Sequence, residues 1–168
     1  MWPAAALVAV AAYVAMCLGA HAIARERFAA ALPPVEIQRV AALPVPGGGP
    51  LRWRGIAETP TGYVVGDVRL LSSTRTPPRF IAKGLDHHLV SRLNEYRLVR
   101  VFLDFARFPV VEWQSQGTRQ VVRYYDLRFV VPGRQRSWFD LEVHLDGHGQ
   151  VQAIAFLRRV FRPGHPDF

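Results

Sequence analysis

Acidic side chains and a histidine alternate along Asp140–Asp146, which reads DLEVHLD. In a β-strand, side chains two residues apart lie on the same face. Carboxylates and an imidazole on one face could bind a hard metal ion or act as general acid and base. The alternative, which we favour, is a solvated strand face paired with arginines such as Arg119 and Arg123 on a neighbouring strand. The candidate residues are Asp140, Glu142, His144 and Asp146.

Other candidate catalytic or metal-binding patterns are weaker. The triplet His144-x-Asp146-x-His148 suggests ligands, but its Asp-Gly-His-Gly portion predicts a turn with His148 at the tip. His87 and His88 are adjacent at a predicted helix start, so their imidazoles would point about 100° apart. Cys17 is the single cysteine, which excludes an intramolecular disulfide and a zinc site with several thiolates. The sequence contains no G-x-S-x-G, Walker or H-E-x-x-H pattern.

Arginine dominates the charge of the chain. There are 21 Lys plus Arg against 13 Asp plus Glu, a net charge of +8, and Lys83 is the only lysine. Arg52, Arg54 and Arg69 lie on two predicted strands, and we expect them to bind anionic lipid headgroups, at about 1 kcal/mol per cation. A solvated sheet face is the alternative. We rank nucleic acid below lipid because the sequence has no recognition-helix or aromatic-basic signature.

The segment Met1–Ala24 carries no charged side chain and is long enough to span a membrane, which takes about 20 apolar residues. Trp2 lies at one end of this segment, and Arg25 and Arg27 follow its other end, as interfacial anchors do. The excess of cations after the segment predicts a single-pass anchor with a cytoplasmic C-terminal domain. A cleavable signal peptide is the alternative, because Ala20-His21-Ala22 resembles a cleavage site.

The rest of the chain predicts an α+β fold: the transmembrane helix, then a small antiparallel β-sheet domain with an inserted helical hairpin. We expect a helix with a basic exit over residues 1–32, a Pro/Gly-rich connector over 33–50 and the domain over 51–168. Two strands precede the hairpin and four follow it, as one meander. Five residues have structural roles: Trp53 in the core, Gly66 on the apolar strand face, Phe102 and Phe105 in the helical core stripe, and Pro109 at the helix end.

Several segments together resemble a known family. In order they are LPVPGGGPLRWRGIAET, GYVVGDVRLL, FLDFARFPVVE, YYDLRFVVPGR and FDLEVHLDGHGQV. This order is similar to the C-terminal portion of the YdjM-like membrane-bound metal-dependent hydrolases of the bacterial inner membrane. The resemblance implies that metal-ligating His and Asp residues lie in further membrane helices, which this sequence does not contain.

The resemblance leaves three functions open. We expect a noncatalytic accessory domain, with a separate polytopic membrane subunit as its candidate partner. The second function is a hydrolase that acts alone or with such a subunit and holds a divalent metal. The third is a module that binds anionic membrane surfaces.

Overall fold

A long apolar helix, α1 (Trp2–Ala29), begins the described part of the chain. The computed structural model describes residues 2–72, 77–86, 88–116, 119–130, 137, 139–157 and 159–164. At about 1.5 Å per residue, α1 is roughly 42 Å long. Its portion Pro3–Ala29 is long and apolar enough to cross a membrane. Leu7, Val8 and Leu18 are among its exposed apolar side chains.

The chain divides into two compact units, residues 1–81 and 82–168. The first unit contains α1 and a sheet with the strand order β1-β2-β3-β4. A 3-10 turn, Gly49–Leu51, joins β1 to β2. β2 pairs antiparallel with both β1 and β3. The strands are β1 (Arg39–Pro44), β2 (Arg52–Glu58), β3 (Gly62–Arg69) and β4 (Arg79–Ala82).

The last turns of α1 pack on the first sheet. Ala20, Ala24 and Phe28 are four residues apart, so they lie on one face of the helix, and all three are buried. Ala20 and Ala24 form a buried cluster with Ala42 and Trp53, whereas Phe28 packs with residues farther along the strands. The C-terminal part of the candidate span is therefore also part of the core of the first unit.

The second unit is a five-stranded antiparallel meander with two short helices on one face. The helices are α2 (His88–Leu93) and α3 (Arg97–Phe105). Leu93, Val99 and Phe102 from the helices pack against a sheet face that includes Val122 and Leu141. The strands are β5 (Pro109–Gln116), β6 (Arg119–Asp126), β7 (Asp140–Leu145), β8 (Val151–Phe156) and β9 (Arg159–Phe161).

The α+β class with an N-terminal apolar helix is confirmed. The strands form two sheets rather than one meander, and the helices follow the first sheet instead of interrupting a single one. β1 lies inside the stretch 33–50 that the sequence indicated as a connector, where it pairs antiparallel with β2 on the side away from β3. Pro109 begins β5, four residues after α3 ends.

The expected core position of Phe105 is wrong. Phe102 is 3% exposed, but Phe105 is 49% exposed. The buried face of α3 contains Val99 and Phe102, and Phe105 belongs to the last turn of a helix of nine residues. Instead of entering the core, Phe105 stacks on Phe129 and Phe139 with ring centroids about 6 Å apart.

Candidate functional site

The face of the second sheet opposite α2 and α3 carries three of the four residues that the sequence singled out, Asp140, Glu142 and His144. We call it the polar face, and Arg123 on β6 is at its centre. In the strand register, Arg123 lies between Glu112 on β5 and Glu142 on β7. The polar face comprises Glu112, Arg123, Tyr125, Asp140, Glu142 and His144.

Arg123 engages the carboxylates around it. Its Nε donates to Asp140 Oδ2 at 2.9 Å, and its guanidinium is 3.8 Å from Glu112 Oε2. The guanidinium also lies 5.1 Å from the centroid of the Tyr125 ring, whose hydroxyl donates to Glu112 Oε1. The arginine side chain is only 8% exposed. Because a buried guanidinium needs acidic partners, the first role of these carboxylates is to neutralise Arg123.

Asp140 combines burial with a direct hydrogen bond from Arg123. Burial raises the pKa of Asp140, while the Arg123 guanidinium and Ser137 act in the opposite direction. Its Oδ1 is buried and accepts no hydrogen bond of normal geometry from the described residues. With Oδ2 held by Arg123, Asp140 is poorly placed to act as a free base or as the first ligand of a metal.

The other three candidates do not join Asp140 around one point. His144 Nε2 is 3.7 Å from Glu142 Oε2, at the edge of ion-pair range. Asp146 lies beyond the strand, where its Oδ1 accepts from the amides of His148 and Gln150. Within the described ranges, no three His, Cys, Asp or Glu side chains form a group that could hold a metal ion.

Most of the His87–His88 pair lies outside the part of the chain that the structure describes. His87 is outside the described residues, and of His88 only the backbone is described. His148 lies exposed in the β7–β8 turn.

A buried carboxylate that the sequence analysis missed connects α3 to β6. Asp126 is fully buried and accepts hydrogen bonds from the Arg107 amide, the Arg128 amide and Arg128 Nε, all at 2.8–2.9 Å. Arg128 also donates to the Phe105 carbonyl and covers the Phe105 ring. The spacing Asp126-x-Arg128 after an apolar strand was the available signal. All of these hydrogen-bond donors belong to the segments that follow α3 and β6, so Asp126 holds the helix–strand junction together.

The arginines of the first sheet fall into two groups. Arg54 is buried and its Nε is 3.3 Å from Asp67 Oδ1, directly across the β2–β3 pair, so its expected exposure is wrong. Arg52 and Arg69 are both exposed, and they lie opposite each other at the end of the same strand pair. Only these two of the three proposed lipid-binding arginines are accessible.

Trp53 and Gly66, the structural candidates of the first sheet, lie on the face that α1 covers. Trp53 donates its indole N–H to the Pro50 carbonyl, and its ring is 5.3 Å from the His21 ring. Gly66 lies under Phe28, where a Cβ would be 3.2 Å from the ring. Both residues therefore join the helix to the sheet.

Comparison of the chain with models of protein families, with curated proteins and with solved structures gives no match.

Proposed function

We propose that the chain is a membrane-anchored accessory module without a catalytic centre of its own, held at the cytoplasmic surface of a bacterial inner membrane. One observation carries the proposal: the candidate membrane span and the core of the first unit share the same helix turns. Ala24 is completely buried on the sheet although it directly follows the exposed apolar side chain of Ile23. An anchor built in this way holds the first sheet beside the bilayer.

The packing favours a retained helix over a cleaved signal peptide. Cleavage after Ala22 would remove Ala20 from the buried cluster that contains Trp53. It would also remove the His21 ring from its contact with Trp53. A signal sequence leaves the mature protein, so its side chains have no reason to complete the core.

The distribution of charge supports a cytoplasmic position for the domain. Arg25, Arg27 and Arg39 follow the apolar run closely. Loops next to a span carry their excess of cations on the cytoplasmic side. The proposed partners are the lipid bilayer and, by the family resemblance, a polytopic membrane subunit.

The hydrogen bonds and ion pairs of the carboxylates in the second unit support an accessory role. Asp140 and Glu112 surround Arg123, Asp126 joins α3 to β6, and Asp146 organises a turn. Each of these carboxylates has a structural task that would compete with catalysis.

Membrane extraction tests the anchor. We expect the full chain to stay in the membrane fraction after high-salt and carbonate washes. Val14→Arg, in the middle of the span, should impair insertion, because a central arginine costs roughly 2.5–3.5 kcal/mol. Val35→Arg, at an exposed apolar position outside α1, is the matched control. Release of the wild-type chain, or a mature N-terminus at Ile23, would contradict the anchor.

Metal analysis tests the noncatalytic role. The detergent-solubilised full chain, dialysed after incubation with zinc or manganese, should retain no stoichiometric metal. One bound equivalent that is lost in His144→Ala but kept in the control Asp104→Ala would instead favour the hydrolase.

A further inference from the structure

Where β2 begins and β3 ends, the first sheet carries two exposed leucines and two arginines. We call this set, Leu51, Arg52, Arg69 and Leu71, the membrane-proximal rim. Leu71 is 84% exposed and Leu51 is 37% exposed. Both arginines are exposed, and neither forms an ion pair within the described part of the chain.

Contacts with α1 orient the rim toward the apolar part of that helix. Phe28 packs near Ala57 and Val64, whereas Ala20 packs near Trp53 farther along the strand pair. Toward the N-terminus of α1, the contacts therefore move toward the start of β2 and the end of β3. The 3-10 turn Gly49–Leu51 also contacts α1. The rim lies beyond Trp53 in this same direction.

The length of the apolar stretch places this end near a bilayer boundary. Pro3 to Ile23 covers about 31 Å at ~1.5 Å per residue, which matches a hydrocarbon core of about 30 Å. His21, in contact with Trp53, is then within the last turn of the span. Tryptophan is enriched at this level of membrane proteins. Leu51 and Leu71 lie farther along the strands than Trp53. They therefore reach the boundary between headgroups and acyl chains, or lie slightly on its hydrocarbon side.

The arginines of the rim differ from the other arginines of the β1–β2 and β2–β3 strand pairs. Arg39 lies opposite Glu58, and Arg54 lies opposite Asp67. Arg52 lies opposite Arg69. Like charges directly across a strand pair repel each other, and an anion between them would turn this repulsion into attraction. A guanidinium can bind phosphate oxygens through two parallel hydrogen bonds.

A third arginine is held beside the rim. Arg27 NH1 donates to the Leu70 carbonyl at 2.9 Å, between the rim residues Arg69 and Leu71. This single hydrogen bond leaves the other donors of its guanidinium available for phosphate oxygens. The backbone of Arg27 lies in the first helical turn after Ile23, at the level of the lipid headgroups.

We propose that the rim binds anionic phospholipids: Arg52 and Arg69 hold headgroup phosphates while Leu51 and Leu71 insert among the upper acyl carbons. The inference rests on the proposed anchor, because α1 brings the rim to the surface. It adds a recognition of lipid charge that an anchor alone does not require.

A depth measurement on the full chain tests the inference. A nitroxide is attached to Leu71→Cys in a Cys17→Ala background and the protein is placed in nanodiscs. The discs contain phosphatidylcholine alone or mixed with phosphatidylglycerol. In mixed discs the label should collide more with oxygen than with a water-soluble nickel chelate. A label on Thr61→Cys, at the opposite end of β2 and β3, should show the reverse.

Charge variants test the role of the arginines. Arg52→Gln with Arg69→Gln should lower the ratio of lipid-exposed to water-exposed Leu71 label on the order of 25-fold in mixed discs, about fivefold per cation. The same change should have little effect in phosphatidylcholine. Arg92→Gln with Arg100→Gln changes the net charge equally at exposed helix positions and is the control.

Two outcomes would overturn the inference. A water-exposed Leu71 label in a chain that resists carbonate extraction would refute the rim and leave the anchor intact. Equal lipid exposure of the label in both disc types, with and without the arginines, would refute the recognition of anionic lipid.

Discussion

The ring of Phe28 lies directly over Gly55, so that a Cβ on this glycine would come within 2.1 Å of the ring carbon Cγ. Gly55 is paired across the strands with Gly66, where a Cβ would be 3.2 Å from the same ring. Because neither of these paired glycines has a side chain, the sheet surface leaves room there for the Phe28 ring. Glycine is favoured here by the close approach of the helix rather than by backbone conformation.

Gly55→Ala should therefore destabilise the contact between α1 and the sheet. Overpacking of this kind typically costs about 1–3 kcal/mol, and the short distance places Gly55→Ala at the upper end of that range. Gly66→Ala should cost less. Gly19→Ala is the control, because a Cβ there has no neighbour within 4 Å. Thermal unfolding of the full chain in detergent micelles gives the comparison.

A double variant separates this clash from general damage. Phe28→Ala alone should cost roughly 3–5 kcal/mol. In Phe28→Ala with Gly55→Ala, the added methyl group enters space that the ring has left. The double variant should then be at least as stable as Phe28→Ala. Strict additivity of the two losses would contradict the direct contact.

Arg54 and Arg52 should respond differently to the same substitution. Arg54 is 9% exposed at its side chain and pairs with Asp67, whereas Arg52 is exposed. Arg54→Gln should lower the free energy of unfolding by about 1–3 kcal/mol, because it removes a charge-assisted hydrogen bond. Arg52→Gln should change it by less than about 0.5 kcal/mol. Similar unfolding midpoints in urea for both variants would show that burial of Arg54 contributes little.

Asp126→Ala should be among the most damaging single changes in the second unit. The substitution leaves two backbone amides and the Arg128 Nε without their acceptor. Removing one partner of a buried ion pair typically costs about 3–5 kcal/mol. Asp104→Ala, an exposed carboxylate on α3, is the matched control. A small difference between these two variants in calorimetry would contradict the structural role of Asp126.

The sequence patterns correctly predicted the N-terminal apolar helix and the α+β class. They did not predict how the helices and sheets pack on one another. Alternation correctly groups Arg52, Arg54 and Ile56 on one strand face, because side-chain direction has a period of two. It does not reveal whether that face is covered. Ile56 is completely buried and Arg54 nearly so, which a charged and apolar mixture cannot indicate by itself.

The same limit applies to the polar face of the second sheet. Parity suggested that arginines of the next strand could neutralise the acids, and Arg123 does so. Parity could not distinguish Asp140, which bonds to Arg123, from Glu142, which lies opposite Arg123 in the register. That choice depends on side-chain rotamers and burial. The leucines of the rim were missed because their role depends on where the sheet packs along α1.

Asp146 should make the stability of the second unit depend on pH in acid. Hydrogen bonds from the backbone amides of Gln150 and His148 and from the Gln152 side chain lower the pKa of Asp146. The unfolded chain has the ordinary value of about 3.9. A lowered folded pKa means that the stabilisation is fully present above about pH 4. It is lost as pH falls through the folded pKa, because the unfolded state then binds the proton more readily.

Asp146→Asn isolates this contribution. Near pH 7 the variant should melt at a lower temperature than the wild type, because the amide cannot reproduce a carboxylate that accepts from three donors. The difference in melting temperature should shrink steadily below about pH 4. Asp104→Asn, at an exposed position without a hydrogen bond from the described residues, is the control at each pH. A difference that stays constant from neutral pH into strong acid would show that shape, rather than charge, is what Asp146 contributes to the turn.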